Sequence, residues 1–110
     1  MTDRLMDPVS RDILISELSR DIFVRKTNKA DNEIYIFRGC EKPNLMNEVG
    51  RLREVSFREA GGGTGKASDQ DEFDTRENGY QQLIVWNPTD KAIVGGYRFI
   101  FCKDARKENG

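Results

Sequence analysis

The run Asp69-Gln70-Asp71-Glu72-Phe73-Asp74 places four carboxylates within six residues. Carboxylates in such a cluster can hold a cationic amine or take a proton from it. A calcium loop of the EF-hand type would begin this way. It needs glycine at its sixth position and a carboxylate at its twelfth, where Asp74 and Tyr80 stand. A solvated acidic turn is the plain reading. Phe73 argues for more, because an aromatic ring inside the run would tether it to a core. Arg98 interrupts an otherwise apolar strand, and a buried guanidinium requires a carboxylate partner. The acidic run is the evident source. Arg53 is a second candidate for such a network, although on a helix its head group could equally reach water.

The loop Gly61-Gly62-Gly63-Thr64-Gly65-Lys66 has the look of a phosphate-binding loop. The motif needs glycine where Ala60 stands and Ser or Thr where Ala67 stands, and it must open a helix rather than close one. A nucleotide triphosphatase is therefore set aside. A flap over a substrate and a plain connection both remain open. The chain contains no histidine, which removes His-based triads and argues against a zinc site with Cys40 and Cys102. Eighteen basic and nineteen acidic residues give a net charge of −1, so no basic face for nucleic acid is expected. No apolar run approaches transmembrane length.

These side chains need elements to position them. At 110 residues a single domain is the natural reading. A first helix is predicted over 8–20, with Asp7 as N-cap and Pro8 at the first helical position. Its apolar face carries Leu14, Leu18 and Ile22; packing on a core or lying on a membrane would use that face. Arg25, Lys26 and Lys29 read as a solvated basic loop. Glu33 to Arg38 reads as a strand covered on both faces. A second helix opens at Pro43-Asn44 and ends at Ala60-Gly61. Strands follow at Gln81–Trp86 and Ala92–Cys102, joined by the turn Asn87-Pro88-Thr89-Asp90. On the last strand Tyr97, Phe99 and Phe101 share one face, and Gly96, Arg98, Ile100 and Cys102 the other. The core is expected over 33–102, with a charged, frayed tail over 103–110. The class is α+β, with helices packed on an antiparallel sheet.

Three segments in this order carry a resemblance. Leu52-Arg53-Glu54-Val55-Ser56-Phe57 resembles the arginine-x-x-x-phenylalanine helix motif of acyl-homoserine-lactone synthases and ornithine-lipid N-acyltransferases. Asp69 to Asp74 resembles the acidic run that follows it in both groups. Val94-Gly95-Gly96-Tyr97-Arg98 resembles their valine-glycine-x-x-arginine strand. The wording of the whole stretch, with Arg25-Lys26-Thr27-Asn28 and the glycine loop, is similar to hemolysin-like acyltransferases of the Bacteroidetes type, which resemble glycine-lipid N-acyltransferases. The resemblance spans about Asn44 to Phe101 and implies the amino-terminal half of a GNAT-like fold. It implies a cytoplasmic enzyme that moves a fatty acyl group from acyl carrier protein to the amine of an amino acid such as glycine or ornithine, for aminolipid synthesis. No metal or cofactor is implied, the acyl thioester of carrier protein or coenzyme A being a substrate.

Carried over position by position, Arg53, Asp71, Asp74 and Arg98 match the family's electrostatic cluster, Glu72 lies beside it, and Phe57 matches the packing residue. Asp71, Glu72 and Asp74 are thus the expected catalytic residues, and Arg53, Phe57 and Arg98 the substrate-binding ones. The histidine that often precedes the post-acidic strand in ornithine-lipid enzymes is absent; Gln82-Leu83 stands there. Arg58-Glu59-Ala60-Gly61-Gly62-Gly63 fits the pantetheine signature literally, but it closes a helix instead of opening one. The chain is therefore expected to be part of a longer enzyme and not to turn over acyl thioesters alone. The alternative is a non-catalytic module that binds a carrier protein or a membrane face, with Arg25, Lys26 and Lys29 offered to an acidic partner.

Overall fold

The computed structural model describes residues 4–28, 30–77 and 79–100. Lys29, Phe101, Cys102 and the tail 103–110 lie outside the described residues. The elements in order are α1 (Arg11–Glu17), a 3-10 turn (Arg20–Ile22), β1 (Phe23–Lys26), β2 (Glu33–Arg38), α2 (Pro43–Glu59), α3 (Glu72–Thr75), β3 (Gln81–Asn87) and β4 (Ala92–Phe99). The four strands form one antiparallel sheet in the order β1-β2-β3-β4. The class is α+β, as the sequence predicts.

The long helix follows from its ends. Pro43 occupies the first turn, where its missing N–H costs nothing. No side chain of the preceding residue caps it. Glu17, at the end of α1, reaches across instead and accepts from the amides of Asn44 (3.2 Å) and Leu45 (2.8 Å). At the other end Gly61 takes a φ of +88°. The Gly62 amide then donates to Phe57 and the Gly61 amide to Arg58, the pairing of a Schellman motif.

Leu45, Met46 and Val49 of α2 are buried with Tyr35 and Phe37 of β2, Ile84 and Trp86 of β3, and Leu14 and Ile22. Each such side chain contributes roughly 1.5–3 kcal/mol by leaving water. This core pins α2 across one face of the sheet. Along β3 the buried positions alternate as Gln82, Ile84 and Trp86, so one polar residue joins an apolar row. Ile34, Ile36, Leu83 and Val85, at the alternate positions, are half-buried; full cover on both faces, expected for β2, holds only on the α2 side.

The amino-terminal segment departs from expectation. The helix predicted over 8–20 is confined to Arg11–Glu17, and Ser10 rather than Asp7 precedes its first residue. The chain then turns at Arg20–Ile22 so that Phe23–Lys26 can pair with β2. Arg25 and Lys26, expected in a loop, are strand residues. Backbone pairing and the edge-to-face contact of Phe23 with Tyr35, centroids 5.5 Å apart, override helix propensity here.

In β4 the pairing shifts: Val85 opposes Gly95, whereas Trp86 opposes Ile93. Val94 is the extra residue of a β-bulge. The bulge puts Ile93, Gly96 and Arg98 on the α2 side together. Without it Arg98 would face away from Ile93. Gly96 is required by space as well, since a Cβ there would fall 2.5 Å from the Leu83 carbonyl oxygen.

Candidate functional site

Arg53 and Phe57 stand four residues apart in α2 and so share a helix face. They line a cleft of about 330 Å³ between α2 and β4, with Leu52, Ile93, Val94 and Tyr97 among its other walls. Phe57, Val94 and Tyr97 are exposed at it. The cleft is mostly apolar; Arg53 brings a charge into it and Ser56 a hydroxyl.

The acidic run begins α3. Asp71 Oδ1 accepts from the amides of Phe73 (2.9 Å) and Asp74 (3.2 Å), and Asp74 Oδ2 accepts from the amide of Asp71 (3.1 Å). This capping box turns the run into a helix start and aims Asp74 inward. Asp74 is 1% exposed. A buried carboxylate must have its lone pairs filled, and both of its oxygens are. Gln82 Nε2 donates to Oδ1 at 2.9 Å, Arg53 Nη1 to Oδ2 at 3.4 Å, and Arg98 Nη1 approaches both oxygens at 3.3 Å. Arg53 Nη2 in turn donates to Gln82 Oε1 at 2.6 Å. The ion pairs are long; the short bonds run through the Gln82 amide.

Arg98 keeps 40% of its side chain in solvent, and Asp71, its second partner at 3.5 Å, keeps 48%. The guanidinium lies 4.5 Å above the Tyr80 ring. Tyr80 is held by the hydrogen bond that its backbone amide donates to the Phe73 carbonyl at 2.6 Å. Partial burial works against the charge of Arg98, but Asp74 and then Asp71 outweigh it and raise its pKa. The expected pairing of Arg98 with the acidic run is present; the burial expected for Arg98 belongs to Asp74, because among the described residues β4 has no strand on its far side.

Of the six predicted site residues, Arg53, Asp71, Asp74 and Arg98 form one cluster. Phe57 lies on the cleft one helical turn from Arg53. Glu72 is exposed on α3 and makes no hydrogen bond or ion pair to either arginine. Gln82 was not predicted. Its signal is a polar side chain in phase with Ile84 and Trp86 on the buried side of a strand.

A second polar cluster explains the glycine loop. Glu54, fully buried, accepts from Arg58 Nε (2.6 Å), Thr64 Oγ1 (2.7 Å), and the amides of Thr64 (3.0 Å) and Gly65 (3.1 Å). The Thr64 hydroxyl, followed by Arg58, lowers its pKa to about 2. Arg58 Nη2 also donates to the Lys66 carbonyl. Gly63 adopts a φ of +110°, and a Cβ there would lie 2.8 Å from Glu54 Oε2. The amides that suggest a phosphate cradle therefore hold an internal carboxylate, and the loop is pinned to α2.

A family model for the acetyltransferase (GNAT) domain matches residues 52–110, more than half the chain and all of the site. A glycine N(alpha)-acyltransferase of Phocaeicola vulgatus is 54% identical over 98 residues, covering 89% of this chain and 30% of that protein. A glycine N(alpha)-acyltransferase of Bacteroides thetaiotaomicron is 51% identical over 104 residues, covering 94% of this chain and 31% of that protein. The chain thus spans about three-tenths of the length of these curated relatives. No solved structure matches it significantly. With its motifs on α2, α3 and β4 falling inside the matched region, the chain belongs to the GNAT acetyltransferase-domain family.

Proposed function

We propose that this chain carries the amino-acid site of an N-acyltransferase that moves a fatty acyl group from a thioester to the amine of glycine or a similar amino acid. The observation that carries the reading is the charge-balanced cluster of Arg53, Arg98, Asp71 and Asp74 beside an apolar cleft. A zwitterion offers one anion and one cation at short separation. Its carboxylate matches the guanidinium N–H groups of Arg98 and Arg53. Its ammonium matches the outward oxygen of Asp71, with Glu72 beside it. The three carboxylates separate by geometry: Asp74 has both oxygens engaged and organises the arginines, Asp71 is half exposed, and Glu72 is exposed beside it.

Before attack the ammonium gives up a proton, to Asp71 or Glu72 directly or through a water. The amine nitrogen then bonds to the thioester carbonyl, the C–S bond breaks, and the thiolate takes the remaining proton. Phe57, Val94 and Tyr97 at the cleft suit the apolar part of the acyl donor. Arg25 and Lys26, on β1, are the basic groups we assign to an acidic acyl carrier protein. Aminolipid synthesis at the cytoplasmic side, with peripheral membrane contact, completes the reading. Among the described residues no helix is long and apolar enough to cross a membrane.

The test is acylation of labelled glycine and of ornithine by the intact protein containing this chain, with acyl carrier protein and coenzyme A thioesters compared. N-acylated amino acid as product supports the reading. Tight binding of carrier protein without any transfer would favour the non-catalytic module.

A further inference from the structure

We propose that Gln82 is the positioning residue of this amino-acid site; the inference rests on the functional reading above. Gln82 is 1% exposed, in a row whose other members are Ile84 and Trp86. Its cross-strand neighbours are Phe37 on β2 and Arg98 on β4, so the sheet register itself sets it beside Arg98. A strand position with only a packing role in that row is filled most simply by an apolar residue. Gln82 instead joins Arg53 of α2 to Asp74 of α3.

Its carboxamide carries a donor and an acceptor on separate atoms. The donor meets an acceptor-only carboxylate at 2.9 Å, and the acceptor meets a donor-only guanidinium at 2.6 Å. These are the two shortest contacts of the cluster. They fix the rotation of the Asp74 carboxylate and the plane of the Arg53 guanidinium, which is otherwise held only at 3.4–3.5 Å, by Asp74 and by the Asp69 carbonyl. Arg98 gives only Nη1 to the acids, and no described residue accepts from its Nη2 or Nε. Gln82 thus sets where the carboxylate-binding N–H groups of both arginines point. It acts through Arg53 and Asp74 and touches no reacting atom.

The experiment compares Gln82→Met and Gln82→Glu with wild type in the intact protein. Methionine fills the volume without either bond. Ionised glutamate sets acceptor against acceptor, whereas protonated glutamate restores a donor and an acceptor. Gln82→Met should raise the KM for the amino acid at least tenfold, leave the KM for the acyl donor within about twofold, and still unfold cooperatively. Gln82→Glu should approach wild type at low pH and lose amino-acid affinity as pH rises, as a ratio to wild type at each pH. A lowered Tm with unchanged amino-acid KM in both variants would overturn the proposal. Nitrogen-15 NMR of the arginine side chains separates this from the functional reading. Slow guanidinium rotation at Arg53, lost in Gln82→Met, supports positioning even where wild type acylates no amino acid. Identical arginine spectra in the two proteins overturn it whatever the activity.

Discussion

Asp74 and Arg98 share an ion pair but differ in environment, and that difference sets what each substitution costs. Arg98 is partly solvated, and Asp74 retains Gln82, Arg53 and the Asp71 amide without it. Arg98→Ala should therefore cost about 1 kcal/mol or less in denaturant unfolding, the range of exposed pairs. Asp74→Ala strands the mostly buried Arg53 and the Gln82 amide together, and should cost about 3–5 kcal/mol. Equal losses for the two would contradict this assignment of burial. Glu54 supplies a pH signature. Its folded pKa of about 2 lies below the ordinary 4.5, so its contribution is complete above about pH 4.5 and is lost as pH falls toward 2. Glu54→Gln should flatten the acid limb of a stability-against-pH curve over that window and reduce stability at neutral pH. An acid limb that keeps its slope would show that the Thr64 and Arg58 contacts do not hold the carboxylate.

An arginine in an apolar strand and a run of carboxylates around an aromatic residue announce themselves in a sequence. Arg98 and the acidic run as a whole were therefore legible before the fold, whereas Arg53, Asp71 and Asp74 were singled out by the family resemblance. Gln82 was not. It is uncharged, is the second residue of its strand, and is set apart from a solvated strand residue by the phase it shares with Ile84 and Trp86, the resemblance marking its position only by an absent histidine. Glu54 was hidden for a related reason: an i,i+4 pair with Arg58 reads as surface decoration until the glycine loop closes over it.

At the scale of elements, α2, β3 and the start of β4 were readable to within a residue, because Pro43, Gly61 and the Asn87–Asp90 turn mark them locally. β4 ends at Phe99, short of the predicted Ala92–Cys102, with Ile100 already outside it and positions 101 and 102 outside the described residues. Asn87 Oδ1 accepts from the amides of Thr89 and Asp90, which fixes that turn from within. β1 was not readable. Four residues, two of them charged, carry too little strand signal, and pairing with β2 decides their conformation. The bulge at Val94 was equally silent, since strict alternation is all that a strand pattern expresses. It is nonetheless what brings Arg98 onto the face of Gln82. Gly96→Ala tests that geometry. The added methyl meets the Leu83 carbonyl and cannot be relieved by a rotamer change, so a loss of about 1–3 kcal/mol is expected. In a hydrogen-exchange experiment the β3–β4 amides should exchange faster than those of β2–β3. Unaltered protection along β4 would mean that the hairpin absorbs the methyl and that the glycine serves another purpose.

At the scale of the chain, α2 and the hairpin flank a cleft that is apolar along most of its walls and charged at Arg53, and the cluster that Arg53 forms with Arg98, Asp71 and Asp74 is neutral in sum. That combination is what the proposed function requires, a small zwitterion meeting an apolar acyl group. The most direct measurement is steady-state acylation of glycine by the intact protein and its Arg98→Ala variant, varying glycine and acyl donor separately. Arg98→Ala, folded at the assay temperature, should lose at least tenfold in kcat/KM for glycine, with the acyl-donor KM little changed. Unchanged kcat/KM for glycine in the folded variant would remove the arginine–aspartate cluster from the site.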